Sequence, residues 1–121
     1  MSERLLCASS ELSETVAKIF EIEGVEIGVI RHKDDVFAYL NICPHQGGPV
    51  CEGLKMPKVC IELDELKRPI RQNFDTGEMH LVCPWHGWEF KIETGEAAGD
   101  PNIRLRRFKT VERDENVYVE I

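Results

Sequence analysis

Two short segments carry residues that could hold a metal. One is Cys43-Pro44-His45-Gln46-Gly47-Gly48, the other Cys83-Pro84-Trp85-His86-Gly87-Trp88. Each pairs one thiol with one imidazole, at Cys-x-His spacing in the first and Cys-x-x-His in the second, and 37 residues separate His45 from Cys83. A thiolate and an imidazole two or three residues apart on a tight turn can point the same way. Glycine lets the backbone approach an inorganic core with its N–H groups aimed at it, and proline fixes the turn in advance. Facing each other, two such loops offer two soft thiolates and two imidazoles. That donor set suits an iron–sulfur centre, and it is also a legitimate tetrahedral zinc set. Zinc-finger pairs usually keep like ligands together, as Cys-x-x-Cys and His-x-x-x-His, whereas here each loop carries one of each. A lone Cys or His in a strand protein is usually incidental, but two mixed pairs on Gly/Pro loops at ligand spacing point to chemistry.

The pattern resembles the Rieske family of [2Fe–2S] proteins, in which two thiolates hold one iron and two imidazoles the other. The resemblance implies that Cys43 and Cys83 bind the inner iron, and His45 and His86 the outer iron, of one cluster. It continues through Trp88–Glu96 (WEFKIETGE), which looks like the strand and turn after the second loop of Rieske ferredoxins. Asp100-Pro101 and the basic strand Arg104–Lys109 look like the segment after that, so the likeness covers residues 17–121. Replacing two thiolates with neutral imidazoles raises the potential, into a family range of roughly −150 to +300 mV. High-potential members carry an extra Cys in each loop and hydroxyl donors after the second. Here Gly48 and Trp85 stand at the Cys positions, and Trp88 and Phe90 at the donor positions. The resemblance therefore implies the low part of that range, as in soluble Rieske ferredoxins.

Those ferredoxins usually have a shorter gap between the loops. The extra stretch, about 52–78, includes the charged segment KVCIELDELKRPI. It is expected to be an extended hairpin or loop with a polar face, either a tolerated surface insertion or a partner-docking element beside the cluster.

Short strands must position the two loops. Period-two patterns predict strands at Ala17–Ile22, Val25–Arg31 and Val36–Ile42, joined by the turns Glu23-Gly24 and His32–Asp35 into an antiparallel meander. Later candidates are Val59–Leu63, Met79–Val82, Trp88–Ile92 and Val117–Ile121. Gly and Pro punctuate the rest, with longer loops expected around 43–57 and 64–78. Residues 9–15 suit a turn or short helix capped by Ser10 or Ser13. The fold expected is all-β: a Rieske-like antiparallel β-sandwich with a small cluster-binding subdomain, in one domain over 1–121, with cluster loops 43–48 and 83–88.

Composition narrows the function. The net charge of −7 disfavours nucleic acid and anionic membranes and favours a partner with a basic docking face, although acidity also serves solubility. No apolar run approaches the roughly 20 residues needed to span a bilayer, and MSERLLCASSELSE is not a secretory signal. The cytoplasm is therefore expected. Cys7, Cys51 and Cys60 are left over from the ligand set; they read as free thiols, with a Cys51–Cys60 bridge or redox role unsupported. His32 and His80 read as structural or solvated. Trp85 and Trp88 could shield a cluster or form an apolar docking surface around His86.

The function expected is electron transfer: a ferredoxin-like component passing single electrons between a reductase and an oxygenase or other oxidoreductase. A fixed small subunit of a larger oxidoreductase, a cluster-based redox sensor and a zinc-bound structural module are the alternatives. Autonomous catalysis is disfavoured. An oxygenase of this family needs two further His and a carboxylate for mononuclear iron, and no Gly-rich nucleotide fingerprint is present.

Overall fold

The apolar runs at 27–30 and 36–39 are nearly continuous, which is what strands covered on both faces require. The computed structural model gives these strands that environment. It describes residues 3–44, 47–85 and 87–121, without the side chains of Cys60, Asp75 and Thr76. The strands are β1 (Glu3–Ala8), β2 (Lys18–Ile22), β3 (Val25–His32), β4 (Asp35–Leu40), β5 (Lys55–Leu63) and β6 (Pro69–Val82). They continue as β7 (Glu89–Lys91), β8 (Glu96–Ala97), β9 (Asp100–Arg104), β10 (Arg107–Phe108), β11 (Thr110–Arg113) and β12 (Asn116–Glu120).

These strands form three antiparallel sheets, ordered β1-β12-β11, β10-β4-β3-β2 and β5-β6-β7-β8-β9. The middle sheet contributes to two cores. Ile27, Val29, Val36 and Ala38 pack with Cys7, Leu12, Phe108, Val117 and Val119. Ile30, Phe37 and Tyr39, at alternate positions, pack with Cys43, Val50, Cys51, Leu81, Cys83, Phe90 and Ile92. Strand alternation thus sends every second side chain of β3 and β4 to the other core. The second core holds both cysteines of the candidate loops. Tyr39 clamps it: its buried hydroxyl donates to the Ile92 carbonyl at 2.5 Å, and burial pushes its ionisation up to about 12.

The meander of three strands stands as expected, as does the all-β antiparallel class. The expected loop at 64–78 is a correction, because residues 69–78 belong to β6, and 55–57 of the other expected loop begin β5. This stretch lacks apolar alternation because it is solvated. The segments pair as a long hairpin with Glu62 opposite Arg71 and an ion pair of 2.9 Å between them. Strands β1 and β11 were not anticipated; both pair with β12. The short helix is a 3-10 turn, Ser9–Glu11, and neither expected serine caps it. Instead the Glu11 carboxylate accepts the Ala8 N–H at 2.8 Å.

Of the two readings of this stretch, a surface insertion and a docking element beside the cluster, its position fits the first. β6 runs toward Cys83, and β4 toward Cys43. Lys33, in the turn before β4, donates to the Gly77 carbonyl at 3.0 Å, so Gly77 lies at the end of the body away from the loops. At about 3.3 Å per residue it is roughly 20 Å from Cys83. Residues 58–74 continue beyond it, and all whose burial is described are exposed except the half-buried Asp64.

His32, at the end of β3, is buried, so the solvated reading fails. Its Nε2 lies 3.3 Å from a Glu93 oxygen, outside hydrogen-bond geometry. Burial, then the positive charge of Lys55, pushes its protonation below the usual 6.5 despite Glu93. As pH falls through 6.5 the unfolded chain takes up a proton that folded His32 resists. Stability is therefore full above 6.5 and declines below it, by at most about 1.4 kcal/mol per pH unit, until folded His32 also titrates. Urea midpoints at pH 7.5 and 5.5 check this: wild type should lose more across the interval than His32→Gln.

Candidate metal centre

Both loops are built on the same backbone turn. In the first, the Cys43 N–H donates to the Gly48 carbonyl and the Gly47 N–H to the Cys43 carbonyl, each at 2.7 Å. In the second, the Cys83 N–H donates to the Trp88 carbonyl at 2.8 Å and the Gly87 N–H to the Cys83 carbonyl at 2.9 Å. The residue four places after each cysteine must adopt positive φ, and it is glycine both times: Gly47 at 77° and Gly87 at 71°. The turns thus share both hydrogen bonds and the positive-φ glycine, although in the sequence histidine sits one place later in the second.

The loops lean on each other. A Cβ placed on Gly48 would lie 3.1 Å from the Cys83 sulfur and 2.8 Å from the Trp85 ring. Gly48 therefore brings the first loop's backbone against the second loop's thiol, the close approach that an inorganic core between two loops requires. The two positions where high-potential members of the resembled family place their extra cysteines are here in mutual contact, one filled by an indole and the other by nothing larger than hydrogen. Cys43 and Cys83 are both only 2% exposed, and neither is in a disulfide. Two buried thiols on matched, interlocked turns fit the sulfur half of a cluster site. His45, Gln46 and His86 lie outside the described residues.

The supporting residues were less visible in sequence. Asn41, two residues before Cys43, is buried. Its Oδ1 accepts the Cys51 N–H at 2.9 Å, and its Nδ2 donates to Glu26 and Glu52, each at 3.1 Å. It ties the start of the first loop to the 3-10 turn Val50–Glu52 that ends it. The only signal was a polar residue closing the run VFAYLNI. His80, three residues before Cys83, is also buried rather than solvated. Its Nδ1 meets Glu89 at 3.0 Å and its Nε2 meets Glu78 at 2.7 Å. That pairing braces β6 against β7, and the hydrogen bond holds the Glu78 carboxyl below its usual range.

The remaining cysteines separate from the site. Cys7 belongs to the other core. The buried Cys51 thiol faces the Tyr39 carbonyl at 3.7 Å, and burial pushes it up to about 12, so it is an inert core residue. Neither is in a disulfide. The side chain of Cys60 is outside the described set. The tryptophans divide their roles: Trp85 is 57% exposed at the second loop, whereas Trp88 is part-buried against the core, tilted over Phe90 at 6.3 Å.

Comparison with known proteins agrees with this geometry. The Rieske [2Fe–2S] domain model matches residues 2–109. The ferredoxin component of the alkene monooxygenase system of Xanthobacter autotrophicus is 25% identical over 103 residues, 85% of this chain and 68% of that protein. Among solved structures, dicamba monooxygenase superposes with a TM-score of 0.68 at 25% identity, covering 98% of this chain. This chain spans only 32% of that protein. The ferredoxin of carbazole 1,9a-dioxygenase from Nocardioides aromaticivorans gives a TM-score of 0.68 at 21% identity, covering 98% of this chain and 97% of that one.

Proposed function

Because the chain belongs to the Rieske [2Fe–2S] domain family, we propose that Cys43, His45, Cys83 and His86 hold one [2Fe–2S] cluster. Through it the protein passes single electrons from a reductase to an oxygenase or another oxidoreductase. The observation that carries this reading is the matched pair of turns, each burying a cysteine at the same place in the same backbone motif. When bound, the cluster supplies a one-electron centre in the family range of roughly −150 to +300 mV.

The chain's own residues exclude water and set that range. Cys43 and Cys83 present their sulfurs from the apolar core. Trp88 and Phe90, where high-potential members carry hydroxyls, have no O–H to donate, and Phe90 is fully buried. Fewer donors stabilise the added negative charge less, which lowers the potential. Trp85 offers an exposed indole at the loop end, suited to the centre of a transient docking patch. The net charge of −7 favours a partner with a basic docking face. Among the described residues no helix is long and apolar enough to cross a membrane, and a carrier working in the cytoplasm fits these features.

The test is an EPR spectrum of anaerobically purified, dithionite-reduced protein, with iron and zinc quantified on the same sample. A reduced [2Fe–2S] signal with the lowered average g of nitrogen ligation, at two irons per chain, is expected, with a potential in the low part of the family range. One zinc and no iron in protein expressed under cluster-loading conditions would overturn the proposal.

A further inference from the structure

The hairpin arm, 58–74, carries an apolar face that none of the described residues covers. Five apolar residues mark it: period two places Val59, Ile61 and Leu63 of β5 on one side, with Phe74 opposite Val59, while Ile70 falls at the register shift beside Leu63 and the polar Gln72 stands opposite Ile61. All five are exposed, Ile61 at 57% and Phe74 at 58%. The other side is polar, with Glu62 bonded to Arg71 at 2.9 Å and Asn73 donating to Glu62 at 3.5 Å. A two-stranded ribbon with a bare apolar side is marginal in water and needs a third layer. Its edges are open as well: β5 is an edge strand, and β7 pairs with β6 only from His80 to Val82.

We propose that this face packs against the same face of a second copy of this chain, giving a two-fold dimer of stacked ribbons about 10 Å apart. Charge selects the occupant. The arm carries four bases and three acids, a net +1, within a chain of −7. Two arms, each close to neutral, therefore meet with far less repulsion than two acidic bodies would, and a basic partner has no electrostatic reason to choose the arm over the acidic remainder. Geometry agrees. The arm projects from the end of the body away from Cys43 and Cys83, so a dimer joined there leaves both loop ends open to other proteins. Size sets the strength. A face about 20 Å long and two strands wide is smaller than the roughly 800 Å² per partner of a standard interface, so the dimer is concentration-dependent rather than permanent. The inference does not depend on which metal the loops hold.

Sedimentation velocity of the metal-loaded full chain, from about 1 µM to about 1 mM and at low and high salt, tests it. The 13.9 kDa monomer should give way to dimer as concentration rises, and added salt should not weaken the dimer. The double variant Ile61→Lys/Phe74→Glu puts charges into the contact and should dissociate it at least ~100-fold more readily. Asn73→Lys, on the polar side, should leave it intact. Unchanged metal content and visible absorption establish that the variants are folded. A wild type that stays monomeric throughout, a dimer indifferent to Ile61→Lys/Phe74→Glu, or one dissolved equally by Asn73→Lys would each overturn the proposal. Monomeric wild type would leave the face to a different protein.

Discussion

Cys83→Ala should lose its iron: the two irons per chain expected of wild type should fall to near zero, and the visible absorption and EPR signal with them. If Cys43 and Cys83 are the two thiolates that hold the inner iron, the variant would leave Cys43 alone to hold it. Water cannot replace the thiolate there, because the Cys83 side chain is only 2% exposed and packed among Leu81, Phe90 and Val50. The informative partner is Cys51→Ala. Cys51 lies in the same core and is just as buried, but its thiol faces the Tyr39 carbonyl. It should keep full iron content and lose only the stability expected of a small cavity, about 1 kcal/mol. Iron analysis of the two variants, made side by side, separates a ligand from a buried thiol. Equal iron in both would remove Cys83 from the ligand set.

Gly53→Ala should be as damaging without touching a ligand. A Cβ at Gly53 would lie 1.6 Å from the Val82 carbonyl oxygen, 2.8 Å from the Val82 carbonyl carbon and 3.1 Å from the Pro84 ring. The obstruction is backbone, so no side chain can swing away. The segment after the first loop would have to separate from the strand that enters the second, breaking the 2.9 Å bond from the Val82 N–H to the Leu54 carbonyl. Overpacking of this kind costs more than about 3 kcal/mol when the neighbour cannot yield. It also spreads the two loops that must converge on one core. Urea unfolding should show a large drop in midpoint, with reduced metal content. Gly99→Ala, where an added Cβ meets nothing within 4 Å, should leave both unchanged.

Different parts of this structure were legible in the sequence for different reasons. The meander β2–β4 could be read because its residues repeat with the period of the local backbone. The loops could be read because Cys, His, Gly and Pro cluster there far beyond what a surface turn needs. Strand β1, ERLLCA, could not, because its place depends on β12, whose partner residues lie more than a hundred positions away. Strand β11, TVER, is four residues long and half charged, too short to show a period, and it gains its structure by folding back on β12 as a tight hairpin. The arm was read as partly loop because PIRQNFDTGE is polar where a core strand would be apolar; its order comes from cross-strand pairs such as Glu62 with Arg71. Asn41 carried too little signal to be singled out. One polar residue at a strand end has no periodicity, and its importance lies in three partners brought to it by folding.

The pairing of β10 with β4 has a consequence for how the chain assembles. Arg107 and Phe108 lie directly opposite Tyr39 and Ala38, so the chain leaves the middle sheet after β4 and returns beside its point of departure some sixty-five residues later. Everything between, both loops included, hangs from two adjacent strands like a parenthesis within a sentence, and the arm is a second parenthesis within the first. The entropy of closing the outer bracket falls on contacts that contain no metal ligand at all. Once β4 and β10 have met, the two cysteines belong to a much smaller ring of chain, and the encounter between the loops becomes local. The same nesting explains why the arm can be long: its ends rejoin the lobe side by side at β5 and β6, so added length changes nothing outside its own bracket.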